Sequence, residues 1–413
     1  MTAVFRFNAV PLALCWLALP LAGQTVCEVD WTLDETLRIG SLDGNDALEY
    51  VQDLAVNPES GEVYVPQYFR GEVMVFSQSG DLLRHIGQEG SGPGDFEAGP
   101  MVVTWTDGEL WVADRFRAQS FDAGGRPVDF VSFDVPVLHE GSLFRPEAPL
   151  ADGSFWARRS LTPVRDGNYS RLTLRRYGRD GSPLDTIAQL DVSRVRFKTA
   201  GGFGDHPLWS TSVGARGLGD VVTGDRSAVV LVDEPSGAGP TSFFSLMRIS
   251  ITGDTLLNRA IPFEPVPVTD EEREWWFREF AAVMAGDYTV GRPRYRQLGE
   301  AARNRARRDA AELLWLPEHY PPVRRVLAGT DGTIWLLREF RLLAEIDRWE
   351  VYDQGGSLIG RLDLRAGRDP TTPWISSQRL LQASVDEVWT TSMDDLEVPY
   401  IHRFQVDRGC QMN

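Results

Sequence analysis

Gly61-Glu62-Val63-Tyr64, Gly108-Glu109-Leu110-Trp111, Gly153-Ser154-Phe155-Trp156, Gly332-Thr333-Ile334-Trp335 and Asp386-Glu387-Val388-Trp389 are copies of one short pattern. A turn residue, usually Gly, stands three places before a large aromatic that opens an apolar run. Gly224-Asp225 before Ala228-Val229-Val230-Leu231 is a degraded sixth copy. Gly at the turn supplies the positive φ of a tight hairpin. The constant offset implies that the aromatic fills the same place in each repeat.

A second series of turns follows the first five copies in chain order: Gly80-Asp81, Gly125-Arg126, Gly181-Ser182, Gly253-Asp254 and Gly356-Ser357. Alternating strands flank each of them, as in Glu72–Phe76 and Leu82–Ile86. Each repeat therefore holds four antiparallel strands, and the repeats recur at a spacing as short as about 45 residues. Six such units predict an all-β fold, a six-bladed β-propeller. The sixth unit lacks a fourth strand, because the chain ends soon after 400–406. Residues 31–39 alternate correctly and have no unit of their own. Pairing them with 400–406 closes the ring and removes an edge. That pairing also brings Cys27 and Cys410 to one end of a strand pair. A disulfide there would contribute about 4–5 kcal/mol on the loop-entropy model. Two unrelated terminal thiols are the other reading.

Residues 1–23 read as a signal peptide: Arg6, then an apolar run from Ala9 to Ala22 ending in small residues. Lipidation at Cys15 is the rival, weakened by the large Leu14 before it. A periplasmic or secreted location follows, and it permits a disulfide. No later stretch is apolar enough to span a bilayer. A net charge of -17 over 413 residues argues against nucleic acid as a partner. The rest, 24–413, reads as a single domain and a monomer.

One stretch makes the likeness more specific. His85-Ile86-Gly87-Gln88-Glu89-Gly90-Ser91-Gly92-Pro93-Gly94-Asp95-Phe96, then Trp111-Val112-Ala113-Asp114, then Phe121-Asp122-Ala123-Gly124-Gly125, resembles an NHL-type repeat. The resemblance covers 50–130 well and 323–406 weakly. It implies a binding platform for a protein, RNA or small ligand. A minority of related propellers are metal-dependent lactonases, esterases or lyases.

Residues 262–322 break the strand pattern between units four and five. Thr269-Asp270-Glu271-Glu272 looks like a capping box, with Trp275, Trp276, Phe280, Val283 and Met284 at helical spacing. A second helix is expected over about 297–316, stopped by Pro317. The insertion either packs its aromatic face on the strands or also forms a lid or docking element.

No catalytic constellation emerges. His85, His139, His206, His319 and His402 are scattered, none in metal-ligand spacing, and His85 and His402 fall on repeat strands. Asn57, Asn168, Asn258 and Asn304 do not repeat by unit, and Gly-x-Ser-x-Gly is absent. Ser91-Gly92-Pro93-Gly94 and Gly201-Gly202-Phe203-Gly204 read as turns. The loops between second and third strands, by contrast, collect Arg70, Arg115, Arg117, Arg158, Arg159, Arg338 and Arg341, with Arg292, Arg294 and Arg296 on the insertion. Such a ring suits an anionic ligand. Alternatively, each Arg pairs with an acid of a neighbouring unit, Asp114, Asp233, Glu234, Asp394 and Asp395 being placed for it. The expectation is a non-enzymatic binding or scaffold propeller, without metal or cofactor, engaging a protein or small anionic ligand on that face. The alternative is a metal-dependent lactonase, esterase or lyase, with calcium as the metal.

Overall fold

The computed structural model describes residues 25–26, 29–49, 51–97, 99–114, 117–133, 144–160, 171–191, 199–203, 206–209, 220–233, 243–284, 300–301, 304–305, 308, 318–339, 341, 343–365, 368–369, 372–376, 378–396, 398–409 and 411–412. The expected signal peptide, Cys27, Cys410, Arg115 and the insertion's Arg292, Arg294 and Arg296 lie outside them.

The described residues form six four-stranded antiparallel units in chain order, the last two joined into one eight-stranded sheet by a short parallel pairing of Asp30 and Trp31 with Arg361 and Leu362. Unit one is Ala55–Val56, Val63–Gln67, Glu72–Phe76 and Leu82–Ile86. Unit two is Pro100–Thr106, Glu109–Asp114, Arg117–Phe121 and Pro127–Ser132. Unit three is Phe144–Pro149, Phe155–Ser160, Arg171–Tyr177 and Pro183–Asp191. Unit four is Asp220–Val222, Ala228–Asp233, Phe243–Ser250 and Thr255–Pro262. Unit five is Arg325–Ala328, Ile334–Glu339, Ile346–Tyr352 and Leu358–Arg365. Unit six is Arg379–Ala383, Glu387–Met393, Pro399–Asp407 and, from the other end of the chain, Asp30–Ile39. Thr199–Phe203 pairs with His206–Trp209 as a small extra hairpin, so Gly201 and Gly202 lie in a strand rather than the expected turn.

Apolar packing runs between the units. An apolar cluster lies between each pair of consecutive units: one and two, two and three, three and four, four and five, five and six. A further cluster sets Ile39, Trp389 and Ile401 of unit six against Val63, Val65 and Phe76 of unit one. Packing face to face in this way makes the molecule a β-propeller. It also explains the second strands, which are buried on both faces and so read as continuous apolar runs. In Val63-Tyr64-Val65, the valines face unit six and the tyrosine faces unit two. The repeat aromatic always faces the following unit, at Tyr64, Trp111, Trp156, Trp335 and Trp389. Val230 holds that place in unit four. A buried aromatic with a polar atom needs a partner, and at three of these positions the residue two before it provides one. Tyr64 Oη donates to Glu62, Trp335 Nε1 to Thr333 Oγ1, and Trp389 Nε1 to Glu387 Oε1, at 2.7–2.8 Å.

Asp30–Ile39 pairs antiparallel with Pro399–Asp407 from Thr32 opposite Asp407 to Ile39 opposite Ile401. The register slips between Glu35 and Leu37, leaving Thr36 as an extra residue. A one-residue slip exchanges the faces of everything after it. Trp31 and Leu33 therefore pack toward unit five, whereas Leu37 and Ile39 pack toward unit one. Beyond this strand, Thr25 and Val26 pair with Met412 and Gln411.

The insertion follows Thr255–Pro262 in the chain. Val268 N donates to Glu318 O and Tyr320 N to Val266 O, pinning its base. The helix Asp270–Met284 starts as the capping box predicts: Glu272 N donates to Thr269 Oγ1 at 3.2 Å, and Thr269 N to Glu272 Oε2 at 2.9 Å. Trp276 is buried in the cluster between units five and six, and Trp275 packs against it. The side chains of Phe280, Val283 and Met284 lie outside the description. Residues 300–301, 304–305 and 308 of the second stretch are helical.

Candidate functional site

In an antiparallel unit, the turn between the first and second strands and the loop between the second and third lie at opposite ends. The molecule thus has a turn end and a loop end. The expected arginines belong to the loop end, and the described ones are occupied. Arg117 is buried: its Nε donates to Asp114 Oδ2 at 3.0 Å, and its Nη2 donates to Gly90 O and Asp95 O. It is the post on which the Gly-rich stretch 90–95 folds, with Gln119 bonding Gly94 N and Asp95 O beside it. Arg338 donates to Glu350 Oε2 at 2.6 Å and to Pro322 O, and stacks over Phe244. Arg70 meets Glu49 at 3.0 Å and Glu72 at 3.8 Å, and Arg341 lies 3.7 Å from Glu272 of the helix. Arg158 and Arg159 lie on Phe155–Ser160 opposite Leu174 and Thr173, their side chains outside the description. The partners correct one expectation: Asp114, Glu72 and Glu350 belong to the same unit as their arginine, not to a neighbour.

The turn end holds a cavity of about 710 Å³ lined by the first strands of units one, two, four, five and six, together with Trp156 of unit three. Its acidic lining is Asp53, Glu59, Asp107 and Asp225, against the single guanidinium of Arg226. Asp107 and Arg226 sit at φ 53 and 57, left-handed positions that cost a non-glycine residue about 1–2 kcal/mol each. They face one another: Arg226 Nη2 lies 3.0 and 3.2 Å from the two carboxylate oxygens of Asp107. Ala151 N donates to Arg226 O, so this residue ties the turns of units two, three and four together. Asp53 Oδ2 accepts from Val103 N, joining units one and two. Burial works to raise the Asp225 carboxyl. Hydrogen bonds from Thr223 and Ser227, with the charge of Arg248, more than offset it and leave the group below the usual carboxylate range.

In the sequence Asp225 and Asp386 read as parts of turns, but none of these acids reads as part of a site. The signal was present: the six turns carry Glu59, Asp107, Asp152, Asp225, Asp331 and Asp386 in order. Several of these acids shape their own turn, as where Asp152 and Asp331 accept from the backbone and hydroxyl of Ser154 and Thr333. Among the described residues, no group of three or more His, Cys, Asp or Glu side chains is placed to hold a metal ion, and no helix is long and apolar enough to cross a membrane.

No protein-family model and no curated protein matches the sequence. Solved structures superpose on this chain at low similarity. A member of the DUF4221 family from Bacteroides vulgatus superposes with TM-score 0.49 at 10% identity, covering 92% of this chain and 99% of that one. A calcium-binding protein, regucalcin, from Agrobacterium tumefaciens gives 0.40 at 11% identity over 91% and 95%. Virginiamycin B lyase from Staphylococcus aureus gives 0.38 at 11% identity over 91% and 99%. None of these likenesses assigns an activity to this chain.

Proposed function

We propose that this chain is an exported six-bladed propeller, completed by its N-terminal strand, that binds a small cationic ligand in the turn-end cavity. The carrying observation is the cavity itself. Turns of separate units supply Glu59, Asp107 and Asp225; Asp107 engages Arg226, the one guanidinium on the wall, and Arg248 lies 3.6 Å from Asp225. Carboxylates around a concave wall focus negative potential, which concentrates a cation and orients it. The loop-end arginines, held by carboxylates, support the ion-paired alternative over an anion site. The NHL-type resemblance agrees with a binding platform, and the lactonase or lyase alternative gains no donor cluster among the described residues. Export fits the signal-like residues 1–23 and a Cys27–Cys410 bond, toward which the flanking register Thr25–Met412, Val26–Gln411 points.

Calorimetry with spermidine, agmatine and choline, and with citrate and glucose as controls, tests this reading. Cations should bind, and Asp225→Asn and Glu59→Gln should each weaken them about tenfold, or about 1.4 kcal/mol. Binding of citrate alone, or cation binding that neither substitution alters, would overturn the proposal.

A further inference from the structure

His402 falls on a repeat strand, and a carboxylate and a hydroxyl meet the two nitrogens of its ring. It lies in the strand Pro399–Asp407, between Glu387–Met393 and Asp30–Ile39. Its ring is nearly buried at 8% exposure, with Nδ1 2.9 Å from Glu35 Oε1 and Nε2 2.7 Å from Ser392 Oγ. An ionised carboxylate can only accept, so Glu35 selects the tautomer with hydrogen on Nδ1. Nε2 is then the acceptor for the hydroxyl of Ser392, which is half-buried near the loop end of its strand. A hydroxyl bonded to an imidazole that a carboxylate orients is the arrangement that activates a serine nucleophile, and it is recognised by geometry rather than by chain position.

The Thr36 bulge makes this possible. Strict alternation would send Glu35 and Arg38 to opposite faces of the sheet. The extra residue leaves Glu35 opposite Phe404 and Arg38 opposite His402, on the same face. On that face Phe404 stacks with the imidazole at 5.9 Å between centroids and Tyr400 lies at 6.5 Å, with the Arg38 guanidinium 3.7 Å over the Tyr400 ring. Phe404 also packs against the cluster that Trp275 and Trp276 of the insertion enter.

We propose that Ser392, His402 and Glu35 form a hydrolytic site for carboxylic esters with an apolar acyl group, separate from the turn-end cavity. Ser392 Oγ bonds to the carbonyl carbon as its proton passes to His402 Nε2. The ester C–O bond breaks, and the alcohol leaves with that proton. Water then adds to the acyl-serine through the same base, the acid departs, and Ser392 recovers its proton. Glu35 is a positioning residue throughout.

The full chain is treated with a fluorophosphonate and mapped by mass spectrometry, with p-nitrophenyl butyrate turnover measured in parallel. The expected result is an adduct on Ser392 and ester turnover, both absent in Ser392→Ala. In His402→Gln the labelling rate should fall at least about 100-fold, as for loss of a general base. Glu35→Gln should slow labelling while Glu35→Asp restores part of the rate. Circular dichroism confirms that each variant is folded. No adduct on Ser392 in the folded wild type, or a labelling rate indifferent to His402→Gln, would overturn the proposal and leave a structural staple. The site shares no residue with the cavity, so failure of cation binding leaves this result standing.

Discussion

The two ends of the propeller place their ion pairs differently: the loop end buries them under folded loops, and the turn end sets them around exposed turn acids such as Asp107 and Asp386. At the loop end, arginines face acids of their own unit across one strand pairing, as Arg338 faces Glu350, or at three residues' distance, as Arg117 faces Asp114. Their charge is consumed in holding loops. At the turn end, one acid per unit sits in a tight turn, and Arg226 is the guanidinium on the cavity wall. An abundance of one charged residue type therefore does not mark a site. What distinguishes the cavity is the composition of its wall, where Asp53, Glu59, Asp107 and Asp225 stand with Arg226.

Three experiments sharpen or break that contrast. The largest effect belongs to the chain closure, which falls at the turn end, where Arg408 bonds Asp386 and Gln405 reaches its carbonyl. If Cys27 and Cys410 are bonded, reduction should cost about 4–5 kcal/mol. Urea midpoints that coincide with and without reductant would mean the thiols are unpaired.

Next comes a matched pair of substitutions. Arg117→Ala removes the guanidinium from Asp114, whose side chain is only 2% exposed and keeps the Glu97 N–H, and should cost about 3–5 kcal/mol in urea unfolding. Asp107→Asn removes a turn-end partner that is 80% exposed, so it should cost less than about 1 kcal/mol. Asn also tolerates the left-handed backbone there. Equal costs would erase the distinction between a sealed end and an open one.

The smallest effect, group by group, is acid sensitivity. The Arg84 guanidinium holds the Glu62 carboxyl below its usual range, and Arg176 does the same for Asp185. Asp180 is lowered by its hydrogen bonds from Ser182. Glu62 follows a first turn, and Asp180 and Asp185 flank the turn between third and fourth strands, at the same end of the unit. Each binds a proton less readily folded than unfolded. Its contribution is therefore complete above the unfolded value near 4 and is lost as pH falls through the lower folded value. Amide exchange at pH 3 should rise first around these turns. An earlier rise around Arg117 would reverse the assignment.

The legible and the hidden parts of the molecule separate along one line. The turns at Gly61, Gly108, Gly153 and Gly332 were readable because their φ of 72–86° favours glycine, a constraint that acts within a few residues. The aromatics at constant offset were readable because each meets the next unit in the same way. The pairing of 31–39 with the last strand also showed in its alternation. The Thr36 bulge did not show, since a slip of register leaves no mark in a period-two pattern. The owners of the loop-end arginines were misjudged for a similar reason: which acid a long side chain reaches depends on how the loop folds back.

From the amino-acid order alone came the repeat, its four-stranded unit, the capped helix and the excess of acid. Each rests on local backbone preference, on periodic burial or on composition. Tertiary structure alone decided that Glu59, Asp107 and Asp225 share a cavity and that Glu35 reaches His402 across 367 positions. The physical reason is closure. Both sites are assembled from residues far apart in the chain, and their side chains meet only once apolar packing between successive units has brought the first strand against the last.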